Sequence, residues 1–119
     1  MLRFKSSYGE GYDIYADINS IDLILYDKPK QALIEFSNPE KSISIVKRDK
    51  TVTNVVKQFI KIKTPSGEYA YINPNNVIIN FGERRYNDSW EERCFIYLSN
   101  GRSFDLLLEE NKTLLDALI

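Results

Sequence analysis

Two segments of this chain repeat one another at a preserved spacing, and that repetition restricts the folds open to it more than any other feature. Phe36-Ser-Asn38 returns as Leu98-Ser-Asn100 and Asp49-Lys-Thr51 as Asn111-Lys-Thr113, both 62 positions on. Tyr15 to Ile21 returns as Tyr71 to Val77, 56 positions on. Preserved spacing on both sides of one change in offset predicts two similar units, about 1–58 and 59–119. Each reads as several antiparallel strands closed by one short helix. One unit alone has too little apolar surface to cover both its sheet and its helix. The expectation is an α+β fold in which two tandem units share one core. A length of 119 residues suits a single domain.

Residue patterns fill in the elements. Leu2-Arg-Phe-Lys5 alternates as a half-buried strand does and ends in Ser6-Ser-Tyr-Gly-Glu-Gly11, a turn, with a second strand over Tyr12 to Ile18. Ile21, Leu23 and Leu25 are expected on one face of the next strand, with Ile24 and Tyr26 on the other. Asp27-Lys-Pro-Lys30 turns the chain back into Ala32 to Phe36, and Ile43 to Val46 follows. Val52, Val55, Val56 and Phe59 form the apolar stripe of a short helix. Its matching positions Leu114, Ala117 and Leu118 predict a second helix with the same stripe. Asn100-Gly101 suits a two-residue hairpin loop. Tyr12, Tyr15, Tyr69 and Tyr71 fall on the repeated second strand and predict a packed aromatic face.

The change of offset locates an insertion. From Ile21 to Phe36 is 15 positions and from Val77 to Leu98 is 21, so the second unit carries six more residues between these strands. They belong to a polar excursion, the expected loop at 82–93, which holds the single tryptophan, Trp90, with Tyr86 and three of the six arginines, Arg84, Arg85 and Arg93. Arg102 lies at the neighbouring strand turn. Arginine and large aromatics dominate binding hot spots and stack on flat ligands, and loops held by a rigid sheet are where binding concentrates. These six residues, Arg84, Arg85, Tyr86, Trp90, Arg93 and Arg102, are the candidate partner-binding set. The competing structural reading pairs the arginines with Glu83, Asp88, Glu91 and Glu92 on a solvated hairpin and folds Trp90 back as a core plug.

Several function classes lose support. Sixteen basic and 17 acidic residues give a formal net charge of -1, without the positive field of a general nucleic-acid or acidic-membrane binder. The absence of histidine removes Ser-His and Cys-His nucleophile systems and the usual nitrogen-ligated zinc site. One cysteine, Cys94, cannot form an internal disulfide framework and sits among alternating apolar residues as a buried thiol. No phosphate-binding glycine motif, Cys-x-x-Cys pair or calcium-loop spacing occurs. No cofactor, metal or catalytic residue is expected. The N-terminal Met-Leu-Arg-Phe-Lys lacks a signal-peptide core, and no apolar run has the length of a membrane span, so a cytoplasmic location is expected.

The run Ile60 to Leu118 resembles the small FlbD-like flagellar-accessory proteins of bacteria. The resemblance rests on the Thr64-Pro-Ser-Gly-Glu68 turn, Tyr71-Ile-Asn-Pro-Asn-Asn-Val77 and Phe95-Ile-Tyr-Leu-Ser-Asn-Gly-Arg102. In that family an Asn-Pro-x-x-Ile segment precedes a strand and an Asn-Gly hairpin. It covers half the chain, and the excursion at 82–92 and the preceding repeat depart from it. What it implies is a fold and no function. The same half is similar to the closing strands of LytTR-type DNA-binding domains, which implies an alternative reading as a transcriptional regulator.

These observations lead to a non-catalytic binding protein that grips a host protein or a small phosphorylated, nucleotide-like ligand through the 82–93 loop. Abundant isoleucine, asparagine and lysine match AT-rich bacteria and their phages. Small phage proteins without catalytic equipment commonly act as inhibitors of a host or defence factor. Exposed strand edges on short, split sheets predict a homo-oligomer, most simply a dimer.

Overall fold

A computed structural model describes residues 1–5 and 13–118. The expected turn at Ser6–Gly11 and the strand position of Tyr12 lie outside the described residues. The chain opens with β1 (Leu2–Lys5) and β2 (Asp13–Ala16), passes a 3₁₀ turn at Ile18–Ser20, and continues as β3 (Ile21–Tyr26), β4 (Gln31–Phe36) and β5 (Ser42–Val46) into α1 (Lys50–Val56). The same order of elements follows: β6 (Ile60–Lys63), β7 (Tyr69–Ile72), a 3₁₀ turn at Pro74–Asn76, β8 (Val77–Tyr86), β9 (Ser89–Leu98), β10 (Ser103–Leu107) and, after a further 3₁₀ turn at Leu108–Asn111, α2 (Thr113–Ala117). The result is a mixed fold dominated by antiparallel strands.

Matching residues start matching elements. Asp17 Oδ1 accepts the Asn19 N–H at 2.9 Å, and Asn73 Oδ1 accepts the Asn75 N–H at 3.0 Å, so the 3₁₀ turns at Ile18–Ser20 and Pro74–Asn76 open on the same side-chain cap. Asp49 caps α1 by accepting from Thr51 N and Val52 N, and its second oxygen accepts from Lys5 N on β1 at 3.3 Å. Asn111 accepts from Lys63 N on β6 at 2.7 Å in the matching place. These short helices have weak intrinsic propensity, and such ties to a neighbouring strand hold their first turns in place.

The strands form three sheets: β1-β2, β10-β9-β8, and a five-stranded sheet in the order β5-β4-β3-β7-β6. The largest sheet crosses the boundary between the halves, because β3 pairs with β7. Asn73 Nδ2 donates to the Ile21 carbonyl at 2.8 Å and Asn76 Nδ2 to the Asn19 carbonyl at 2.8 Å, which ties the two 3₁₀ turns together at that junction.

Two buried clusters replace the one shared core expected from the sequence. Leu23, Leu25, Ile60, Ile62, Ala70 and Ile72 form one face of the five-stranded sheet and pack with Cys94, Ile96, Leu98, Leu106 and Leu114. Ile21, Ile24, Ala32, Ile34 and Ile45 lie in the other cluster with Phe4, Ala16, Val52, Val55 and Phe59. The five-stranded sheet is covered on both faces, so its central strand β3 is apolar throughout apart from Asp22. The pattern of β3 also needs correction. Ile21 belongs with Ile24 rather than with Leu23 and Leu25, because the register against β4 shifts between Ile21 and Leu23. Asp22 is the extra residue of that bulge, and one added residue inverts which face every later side chain takes.

Other local expectations differ in detail. Of the predicted stripe on α2, Leu114 is buried, while Ala117 and Leu118 are exposed. Phe59 lies beyond the end of α1 but is buried. The Asn100-Gly101 connection has three residues rather than two: Gly101 N donates to Leu98 O, Leu98 N donates to Arg102 O, and Gly101 sits at φ 91°. That is a tight turn followed by a bulge in which glycine supplies the left-handed position. The described tyrosines do not form one packed face. Tyr15 is exposed on β2, Tyr69 lies under the Lys61 ammonium at 4.1 Å, and Tyr71 meets Tyr26 edge to face at 4.9 Å.

Candidate functional site

The six extra residues of the second half form ordered strand rather than the expected loop. Ile21 lies directly opposite Phe36 in the first half and Val77 opposite Leu98 in the second, so the two hairpins start from matching pairs. The six-residue strands β3 and β4 enclose a four-residue connection, whereas β8 and β9 have ten residues each and a two-residue turn. Four residues added to each strand and two removed from the connection account for the insertion. Asn87 and Asp88 adopt φ 47° and 63° at the tip. Two successive left-handed residues make the turn whose twist matches a right-twisted hairpin, and asparagine and aspartate tolerate it better than other non-glycine residues.

Strand alternation then divides the arm into two faces. Phe81, Glu83, Arg85, Trp90 and Glu92 continue the face that carries Ile79, Cys94 and Ile96. Arg84, Tyr86, Glu91 and Arg93 continue the opposite face. Beyond the core the first face has nothing packed over it that buries its aromatics: Trp90 is 66% exposed, and Phe81 is 45% exposed. Tyr86 on the other face is 62% exposed. Trp90 is therefore not a core plug. It stands directly across from Arg85 on the neighbouring strand.

The arginines are held by carboxylates. Asp105 on β10 accepts from Arg84 Nη1 at 2.7 Å and from Arg93 Nε at 2.8 Å, and Arg93 also reaches Glu91 at 3.4 Å. Arg93 is largely buried and braces β9 against β10 rather than facing a partner. Arg85 pairs with Asp88 at 3.1 Å across the tip. Arg102 is not brought to the arm. It lies at the opposite end of β9 and β10, over the Phe104 ring at 5.3 Å and paired with Glu35 of the first half at 3.0 Å. The candidate set thus separates into an exposed tip of Arg85, Tyr86 and Trp90, a clamp of Arg84 and Arg93 on Asp105, and a remote Arg102.

Two open concavities flank the arm. One, of about 650 Å³, runs between Trp90, Glu91 and Glu92 and the segment containing Glu109, Lys112 and Leu115. The other, of about 490 Å³, is lined by Arg84, Arg85, Tyr86 and Arg93 with Glu91 and Leu107. Phe81, absent from the candidate set, adds apolar surface to the same face as Trp90. Burial pushes the Cys94 thiol up to about 11, so it carries no nucleophile at neutral pH. Among the described residues, no helix is long and apolar enough to cross a membrane. No family model, curated protein or solved structure matches the chain.

Proposed function

We propose that this chain is a non-catalytic binding protein whose β8–β9 arm docks on another protein. One observation carries the reading: an exposed tryptophan and an exposed tyrosine sit near the tip of a regular hairpin stiffened by the Asp105 clamp. Large rigid aromatics on a preordered support gain affinity by burial while losing little conformational freedom. The charges favour a protein over a phosphorylated small molecule. Each arm guanidinium already has a carboxylate, and an incoming phosphate must displace Asp105 or Asp88. The matching order of elements in the two halves supports descent from one unit used twice, with the partner surface confined to the lengthened hairpin.

The test is capture of partners from a bacterial lysate by the chain and by its Tyr86→Ala/Trp90→Ala variant. The variant is expected to keep its melting temperature within about 3 °C, because exposed side chains contribute little to stability, and to lose the captured protein. Capture of the same protein by both forms at equal yield removes the arm from recognition.

A further inference from the structure

β8 is an edge strand: it pairs with β9 on one side, and among the described residues no strand is hydrogen-bonded along the other. β3, in the same place in the first half, has both sides filled, by β4 and by β7. The open edge is ten residues long and contains no proline. Long edges without proline or a bulge are templates for another strand. Apolar side chains accompany it: Ile78 is 65% exposed and stands opposite the half-exposed Tyr97. The two-residue turn makes Tyr86 and Ser89 a hydrogen-bonded pair. Ile78, Asn80, Gly82, Arg84 and Tyr86 therefore use their N–H and C=O groups on β9, while Val77, Ile79, Phe81, Glu83 and Arg85 turn theirs to the open side.

We infer that this edge pairs with the same edge of a second copy of the chain, antiparallel about a two-fold axis through Gly82. The pairing joins two three-stranded sheets into one continuous sheet. An axis perpendicular to the sheet keeps each face on its own side, so it passes through a residue and not between two. Centred on Glu83, Arg84 or Arg85, it sets a charge against its own copy, which is unfavourable. Centred on Phe81, it sets Ile78 against Arg84 and leaves Tyr86 without a partner. Centred on Gly82, it places Ile78 opposite the second copy's Tyr86, Asn80 opposite Arg84, Phe81 opposite Glu83 and Ile79 opposite Arg85. No like charges meet, and no side chain stands on the axis. Val77 lies just outside this ladder, and the open-side N–H and C=O groups of Ile79, Phe81, Glu83 and Arg85 are satisfied within it. Trp90 is on β9, one strand in from this edge, whereas Tyr86 belongs to the edge itself, so Trp90→Ala alone separates partner capture from pairing.

Gly82→Cys tests the geometry directly. A Cβ at Gly82 meets only the Phe95 Cε2 atom, at 3.4 Å, so the substitution is accommodated. Facing residues of a non-hydrogen-bonded antiparallel pair have Cα atoms about 4.5 Å apart, inside the range of a disulfide. Mild oxidation with a thiol-disulfide buffer is expected to convert most of Gly82→Cys to a covalent dimer, while Asp116→Cys, at an exposed helix position, stays monomeric at the same concentration. Two further variants read the register without a new thiol. Phe81→Glu sets an acid against the second copy's Glu83 and is expected to weaken the dimer at least tenfold by light scattering or sedimentation. Phe81→Lys sets a base there and is expected to retain it. Cross-linking of Gly82→Cys no faster than Asp116→Cys, equal dimerisation of the two Phe81 variants, or a 13.9 kDa particle for the unaltered chain at millimolar concentration overturns the pairing.

Discussion

Ser99 Oγ lies 2.7 Å from Oδ2 of Asp22, joining residues 77 positions apart at a fully buried carboxylate. Ser37 Oγ donates to the same side chain at 2.6 Å and the Asn100 N–H at 2.7 Å. Ser37 and Ser99 hold the same place in the two repeated Ser-Asn pairs and lie 3.3 Å apart. The extra residue of the β3 bulge thus gathers both loops onto one acceptor. Asp22→Ala leaves two hydroxyls and an N–H without that acceptor and is expected to cost about 2–4 kcal/mol in urea unfolding. The double variant with Ser99→Ala is expected to show a coupling of about 1 kcal/mol or more. Additive losses would mean that Ser99 and Asp22 are neighbours without an energetic link.

Asp49 and Asn111 hold matching places and each ties a helix start to a neighbouring strand, but only Asp49 also caps its helix. Both side-chain oxygens of Asp49 accept from N–H groups, whereas Asn111 accepts from Lys63 N and donates through Nδ2 to the Lys63 and Leu107 carbonyls. Asn111→Asp turns an anion toward two carbonyls and is expected to destabilise by about 2–3 kcal/mol. Asp49→Asn keeps the cap oxygen for Thr51 and is expected to cost less than about 1 kcal/mol. Equal losses at the two sites contradict this assignment of donors.

The tip of the arm depends on backbone shape. Asp88→Gly removes the steric penalty at φ 63° and gives up only an exposed pair with Arg85, so the melting temperature is expected to hold or rise. Asp88→Val forces a β-branched residue into that conformation and is expected to cost about 1–2 kcal/mol. A drop in stability for Asp88→Gly larger than that for Asp88→Val argues for a different turn.

Cys94 makes the pH dependence specific. Burial raises its thiol to about 11 from an ordinary value of 9.0, so the folded state holds a proton that the unfolded chain releases earlier. Its contribution is complete below pH 9 and is lost as pH rises toward 11. Over that window the chain is expected to lose about 2–3 kcal/mol more than Cys94→Ala, compared by denaturant midpoints. At pH 8 the thiol is expected to react with an aromatic disulfide reagent only on unfolding. Parallel stability curves for the two forms, or fast labelling of the native chain, would place Cys94 in contact with solvent.

Within the arm, spacing alone located the insertion, because Ile21–Phe36 and Val77–Leu98 prove to be facing pairs and any added length must lie between them. Its form was harder to read. Polar residues at alternate positions look like a loop when they are strands whose two faces are both solvated, and the Asn87-Asp88 turn is a weaker signal than asparagine followed by glycine. Asp105 is distant in sequence from Arg84, and no local pattern reveals that β10 brings its carboxylate between Arg84 and Arg93.

Local chemistry by itself determined the strand segments outside the arm and the first helix stripe from Val52 to Val56, since each depends on residues within a few positions of one another. Tertiary structure alone decided that β3 pairs with β7, that Asp22 bulges and reassigns the faces of β3, that two clusters form in place of one core, and that Trp90 stands in solvent. The reason is that alternation records which residues want burial but not which partner strand will cover them. That choice belongs to long-range contacts, whose free energy exists only once the whole chain has closed.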